Sequence, residues 1–193
     1  MNGSLAKIFI TALLFGFRFA AGQTSTPESQ ASRELVWREY VYANDGFAIT
    51  LPDAPNPHKD TQLESGTAYT IHLSGGTTLT LHVGNFQEGC ATVFKEHLNY
   101  LEQDIQKAKA SKATGVKQGY RTDVSSVRHT TTGSFPAVEY EQDVVNEDGM
   151  FRFYQRVQCV DKRLYIMGAI WRNTLPKPTD LSRVLSSFHL IGK

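Results

Sequence analysis

Two cysteines and six histidines are the residues of this 193-residue chain whose chemistry depends most on what stands beside them. Cys90 and Cys159 allow three readings. As an even pair in an exported chain they most simply form one disulfide, because oxidising compartments favour that bond. The loop so closed is long, and the chain-entropy estimate for it is roughly 4 kcal/mol. As free thiols they would be small buried hydrophobes, since Cys159 alternates with Phe151, Phe153 and Val157 on one strand face. As a nucleophile, Cys90 stands just before a helix, where a thiolate is stabilised.

His72 and His82 fall on the polar face of one predicted hairpin, as near-diagonal neighbours. Two imidazoles can begin a transition-metal site, which needs further ligands. Their expected neighbours Thr70, Thr78 and Thr80 are poor ligands, so no metal is assigned. His58 and the Glu96-His97 pair add nothing at ligand spacing. Glu139, Glu141 and Asp143 alternate along a strand. Paired carboxylates can serve acid–base chemistry. Their regular spacing opposite Arg152 and Arg156 instead predicts a salt-bridged sheet surface. Lys107, Lys109, Lys112 and Lys117 read as a solvated helix end rather than a phosphate site. Trp37, Tyr40, Tyr42, Tyr154, Tyr165 and Trp171 read as sheet packing, with an aromatic ligand patch as the alternative. There is no G-x-x-x-x-G-K, G-x-G-x-x-G, H-E-x-x-H, C-x-x-C or G-x-S-x-G. No catalytic residue and no cofactor is assigned.

The elements that must position these residues follow from hydrophobic spacing. Tyr40 and Tyr42, then Phe47, Ile49 and Leu51, flank Asn44-Asp45-Gly46 as a hairpin. Asp53 to Thr61, with Pro55 and Pro57, reads as a loop. A second hairpin sets Tyr69, Ile71 and Leu73 on the same face as Leu79, Leu81 and Val83. Matching those faces excludes a two-residue Gly75-Gly76 connection and requires a longer loop or a bulge. Phe94, Leu98, Leu101, Ile105 and Ala108 predict a long helix with Thr92 as N-cap and Gly115 at its end. Asp123 to Thr131 is a strand candidate. Val138, Tyr140 and Val144 predict the next strand, and Phe151, Phe153 and Val157 the one after. Pairing Val144 with Phe151 sets Asp143 against Arg152 and Glu139 against Arg156. Leu164 to Trp171 is apolar on both faces and reads as a central strand. Thr179 caps a final helix with Leu181, Val184, Leu185 and Phe188 on its apolar side.

The chain begins with a signal-like segment. Lys7 precedes the apolar run Ile8 to Phe17, and Ala20-Ala21-Gly22 offers the small residues a signal peptidase reads. The expected organisation is a signal peptide over 1–22, a polar flexible leader over 23–36 and one domain over 37–193. The apolar run is shorter than a spanning helix needs, and no second apolar stretch of that length occurs, so the mature chain carries no expected transmembrane segment. The expected location is secreted or periplasmic. Formal net charge is +1, which excludes the electrostatic footprint of a nucleic-acid binder.

The opening WREYVYANDGFAITLPDAP, the order of hairpins then helix, and the closing LSRVLSSFHL resemble exported domains of the PsbP-like class and the similar DcrB-type envelope proteins. The resemblance covers Trp37 to Leu190. It implies an α+β fold: an antiparallel sheet of about six to seven strands carrying one long helix and a C-terminal helix, in an α/β/α sandwich. Members of that class are mostly non-enzymatic binding or assembly factors, with no shared site motif to carry over. The lipobox cysteine of the lipoprotein members is absent. The expected function is a non-catalytic exported binding or assembly module for an unknown protein or small ligand. The rival readings are a small-ligand carrier and a small hydrolase using Cys90 or the His72/His82 pair.

Overall fold

A computed structural model describes residues 36–60, 66–73, 77–114, 121–146, 149–172, 174 and 177–192. The expected signal peptide and all of the leader but Val36 lie outside the described residues. The Asn44-Asp45-Gly46 turn closes the first hairpin, with β1 (Arg38–Tyr42) against β2 (Phe47–Leu51) and Tyr42 opposite Phe47. The amides of Asp45 and Gly46 both donate to Tyr42 O, at 3.0 and 2.8 Å. Gly46 takes φ +73°, a conformation costly for any residue with a Cβ.

The expected loop at 53–61 contains a strand, β3 (Asn56–Asp60). It pairs with β4 (Gly66–Leu73) at the margin of the large sheet. Pro57 is tolerated there because an edge strand needs hydrogen bonds on one side only. β4 and β5 (Thr77–Asn85) form the second hairpin, with Leu73 opposite Thr77 and Ile71 opposite Leu79. That register leaves more than two residues between the strands, as face matching required.

Helix α1 (Ala91–Thr114) follows. Its start differs from expectation: Cys90, not Thr92, stands at the cap position, its carbonyl accepting from Phe94 N at 2.9 Å. Cys90 N itself donates to Asp161 O at 3.1 Å, which fixes the chain two residues early. Four long strands come next: β6 (Arg121–Thr132), β7 (Phe135–Asn146), β8 (Gly149–Val160) and β9 (Arg163–Arg172). The β7–β8 register is the expected one, with Val144 opposite Phe151, Asp143 opposite Arg152 and Glu139 opposite Arg156. Helix α2 (Thr179–Ser187) begins at Thr179, and Pro178 occupies the cap position without a side-chain cap. A two-residue strand, β10 (His189–Leu190), ends the described elements.

All pairings are antiparallel, and they build two sheets. The larger has the order β3-β4-β5-β9-β8-β7-β6, which sets β9 at its centre, as its two apolar faces required. The smaller has the order β1-β2-β10. One face of the large sheet presents Tyr69, Ile71, Leu79, Leu81, Met167 and Trp171 to the small sheet and to Leu181 and Val184 of α2. The opposite face presents Val138, Tyr140, Val157, Leu164 and Ile166 to Phe94 and Leu101 of α1. The expected sandwich is present, but one outer layer combines a helix with a second sheet. Among the described residues, no helix is long and apolar enough to cross a membrane.

The small sheet is fastened to the large one at its turn. Tyr165 Oη donates to Asp45 O at 2.7 Å, Arg163 Nη2 donates to Asn44 O at 2.9 Å, and Tyr69 Oη donates to the Asp45 carboxylate. Burial, reinforced by the Asp45 carboxylate, raises the Tyr69 phenol above its ordinary pKa. Burial likewise pushes Tyr42 up to about 12.

Candidate functional site

Strand alternation puts Glu139, Glu141 and Asp143 of β7 on the same face as Tyr154 and Arg156 of β8, the face that carries the small sheet farther along. Arg128 of β6 stands opposite Glu139 and completes the row Arg128–Glu139–Arg156 across three strands. Arg128 Nε donates to Glu139 Oε2 at 3.0 Å, and Arg156 Nη1 lies 3.6 Å from Glu139 Oε1. Glu139 and Arg156 are nearly buried, so each carboxylate oxygen faces its own guanidinium in a poorly solvated place. Beside them Arg152 grips Asp143 with two bonds, Nε to Oδ1 at 2.9 Å and Nη2 to Oδ2 at 3.3 Å. Lys177 reaches in from the segment before α2 and donates to Glu141 Oε1 at 2.6 Å. Its ammonium also lies 5.2 Å from the centroid of the Tyr154 ring. Hydrogen bonding to Glu139 raises Arg128 above its ordinary pKa, and bonding to Asp143 does the same for Arg152. Burial raises Tyr154, with Glu139 adding to the effect.

This arrangement is an ordered charged surface rather than an acid–base site. Every carboxylate in it is paired with a cation: Glu139 with Arg128 and Arg156, Asp143 with Arg152, and Glu141 with Lys177. Charged side chains clamped in this way are presented in fixed positions.

The other sequence-derived candidates fall elsewhere. Cys90 and Cys159 are joined in a disulfide across a separation of 69 residues, tying the start of α1 to β8. That bond removes both the free-thiol reading and the Cys90 nucleophile. His72 and His82 are not neighbours: His72 stands opposite Thr78 and His82 opposite Ala68. The near-diagonal contact would have required Leu73 to pair with Leu79, and the chain pairs it with Thr77. His72 is exposed, and its Nδ1 lies 3.4 Å from Thr78 Oγ1. His82 Nδ1 lies 2.5 Å from Asp60 Oδ2, a carboxylate 3% exposed that sequence reasoning had left in a loop. The residues opposite His82 on both sides, Ala68 and Ile166, offer no nucleophile for such a dyad. Among the described residues, no three His, Cys, Asp or Glu side chains gather as metal ligands. The aromatic residues Tyr42, Phe47, Tyr69, Tyr165 and Phe188 stack on one another within the core instead of lining a ligand patch.

His97, set aside for want of ligand spacing, belongs to a buried polar group that sequence reasoning did not find. His97 of α1 is buried against β7 and β8, with Nε2 3.4 Å from Tyr140 Oη, which donates to Gln155 Oε1. Burial lowers His97 to about 4 and raises Tyr140 above its ordinary value. His97 shares the helical face of Phe94 and Leu101, and that shared spacing was the available signal.

No protein-family model matches the chain, and no curated protein matches it. Solved structures do. The solution structure of cyanobacterial PsbP (CyanoP) from Synechocystis sp. PCC 6803 aligns over 88% of this chain and 99% of its own, at TM-score 0.55 and 11% identity. The fold is PsbP-like. A Bacteroides thetaiotaomicron VPI-5482 protein aligns over 80% of this chain and 48% of its own, at TM-score 0.45 and 8% identity. A Pseudomonas aeruginosa protein of unknown function aligns over 74% of this chain and 99% of its own, at TM-score 0.39 and 13% identity. The likeness to PsbP agrees with the resemblance carried by the opening hairpin and the closing helix. At such identity it concerns the path of the chain and assigns no residue a role.

Proposed function

We propose that the protein is a non-catalytic exported binding or assembly module that docks a partner protein through the charged face of β6, β7 and β8. One observation carries this reading: Arg128, Glu139, Glu141, Asp143, Arg152, Arg156 and Lys177, with Tyr154 among them, form one continuous patch of paired charges. The rest of that face is occupied by the small sheet and α2. Arginine is among the residue types that anchor protein interfaces, and Arg128 and Arg152 stand at the surface of this patch while Tyr154 lies buried beneath it. The more exposed outer pairs, Arg152–Asp143 and Lys177–Glu141, contribute little to stability, so their order is better explained by recognition than by folding. The likeness to CyanoP supports the fold on which the reading rests.

The test is capture with the full chain from its native envelope or medium, comparing wild type with the double variant Glu141→Lys, Asp143→Lys. A partner recovered in stoichiometric amount by the wild type, and lost by a variant with unchanged thermal unfolding, is the expected result. Equal recovery by both proteins would remove this face from the reading.

A further inference from the structure

We propose that the outer edge of β6 accepts an extended strand from a partner protein, with a carboxylate side chain set opposite Arg128. The inference rests on the binding-module reading and names the partner's local chemistry.

The two edges of the large sheet are built differently. β3 is five residues long and includes Pro57, which has no N–H to offer, followed by Lys59 and Asp60. Short length, proline and charge are the usual means of blocking unwanted strand addition. β6 is twelve residues long and has no proline, and its register shift against β7, between Val124 and Ser126, leaves the stretch from Ser126 to Thr132 regularly paired. Its residues Ser126 to His129 are exposed on both faces of the strand. Among the described residues, no backbone or side-chain group hydrogen-bonds to its outer edge. A row of backbone donors and acceptors left open in this way is a template for another strand.

Charge specifies what that strand should carry. The cross-strand row reads Arg156, Glu139, Arg128, alternating in sign toward the edge and ending on a cation. Arg128 uses Nε and Nη2 on Glu139 Oε2, its side chain remains 75% exposed, and Nη1 has no bond among the described residues. A carboxylate directly opposite Arg128 continues the alternation, whereas a cation there meets a like charge. On the other face of β6, Val127 is 37% exposed and offers an apolar contact to the residues flanking that carboxylate. The partner segment is therefore extended and β-branched, with one acidic residue in register with Arg128.

The probe is a fluorescent, end-blocked heptapeptide, Thr-Thr-Val-Glu-Val-Thr-Thr, titrated by anisotropy against the full chain with its disulfide formed. Two control peptides carry Lys in place of Glu, or N-methyl groups at alternate amides. The Glu peptide should bind roughly tenfold tighter than the Lys peptide. N-methylation should abolish binding, and amide exchange should slow from Ser126 to Thr131. Arg128→Glu should invert the peptide preference, a result that misfolding cannot produce, and Arg128→Gln should flatten it. Equal binding of the Glu and Lys peptides overturns the proposal, as does an unchanged preference in Arg128→Glu or no binding of any peptide. Because the peptides report on the edge alone, partner capture lost on Glu141→Lys, Asp143→Lys without peptide binding would retain the docking face and reject strand addition.

Discussion

At neutral pH the His97 ring is an uncharged member of a buried chain that runs through Tyr140 to Gln155. Its folded pKa of about 4 lies below the ordinary 6.5. The unfolded chain therefore takes up a proton, as pH falls through 6.5, that the folded chain refuses until about 4. The stability this group contributes is fully present above 6.5 and is lost progressively down to about 4, by an amount on the order of 3 kcal/mol. Urea unfolding of wild type and His97→Gln at pH 7.5 and 4.5 should show a steeper loss in the wild type; equal slopes would refute the assignment. Glu139 makes a different case, a nearly buried carboxylate set between two guanidiniums. Glu139→Ala removes the carboxylate shared by Arg128 and Arg156 and should cost about 1–3 kcal/mol, read as a shift of the urea midpoint. Glu139→Gln should recover part of that loss. The Glu139–Arg156 pair was legible in the sequence because both residues lie in strands whose register the turn fixes. Arg128 and Lys177 were not, since one enters from the next strand and the other from the approach to α2. His97 was hidden because nothing in the sequence says which polar residue on a helix's apolar face will find a partner across the layer.

At the scale of elements, the turn at Asn44-Asp45-Gly46 is both a hairpin closure and the clasp between two sheets. A Cβ at Gly46 would collide with Arg163 Nη1, approach Tyr165 Oη at 3.3 Å, and sit on a backbone at φ +73°. Gly46→Ala should lower stability by about 1–2 kcal/mol, measured as a fall in thermal midpoint. Replacing both Cys90 and Cys159 by Ala should cost about 4 kcal/mol in the loop-entropy account, and α1 should lose amide protection before the strands do. The hairpins, the long strands and α1 were readable from spacing and turn residues. β3 was not, because proline marks a loop everywhere except on an edge. The cap of α1 was misplaced because a hydrogen bond from Cys90 to distant Asp161 overrides the local preference for Thr92.

For the whole molecule, an interface built from paired charges should weaken as salt rises. Partner capture should decline between about 50 and 300 mM NaCl, and a salt-independent interaction would point away from the charged face. The division of the strands into two sheets was beyond sequence reading, since alternation tells which way a side chain points and not which sheet receives it. The three-stranded sheet also decides how the molecule meets force. β1 and β10 lie on either side of β2 and run parallel to each other, with Arg38 opposite Leu51 at one end and Leu190 opposite Phe47 at the other. A pull applied to the first and last strands therefore slides them along β2 in opposite directions. All their rungs are loaded together, as in a lap joint under shear, and do not open one by one. A pull on the chain ahead of β1 against a hold on the chain after β10 would meet this joint before it reached the seven-stranded sheet.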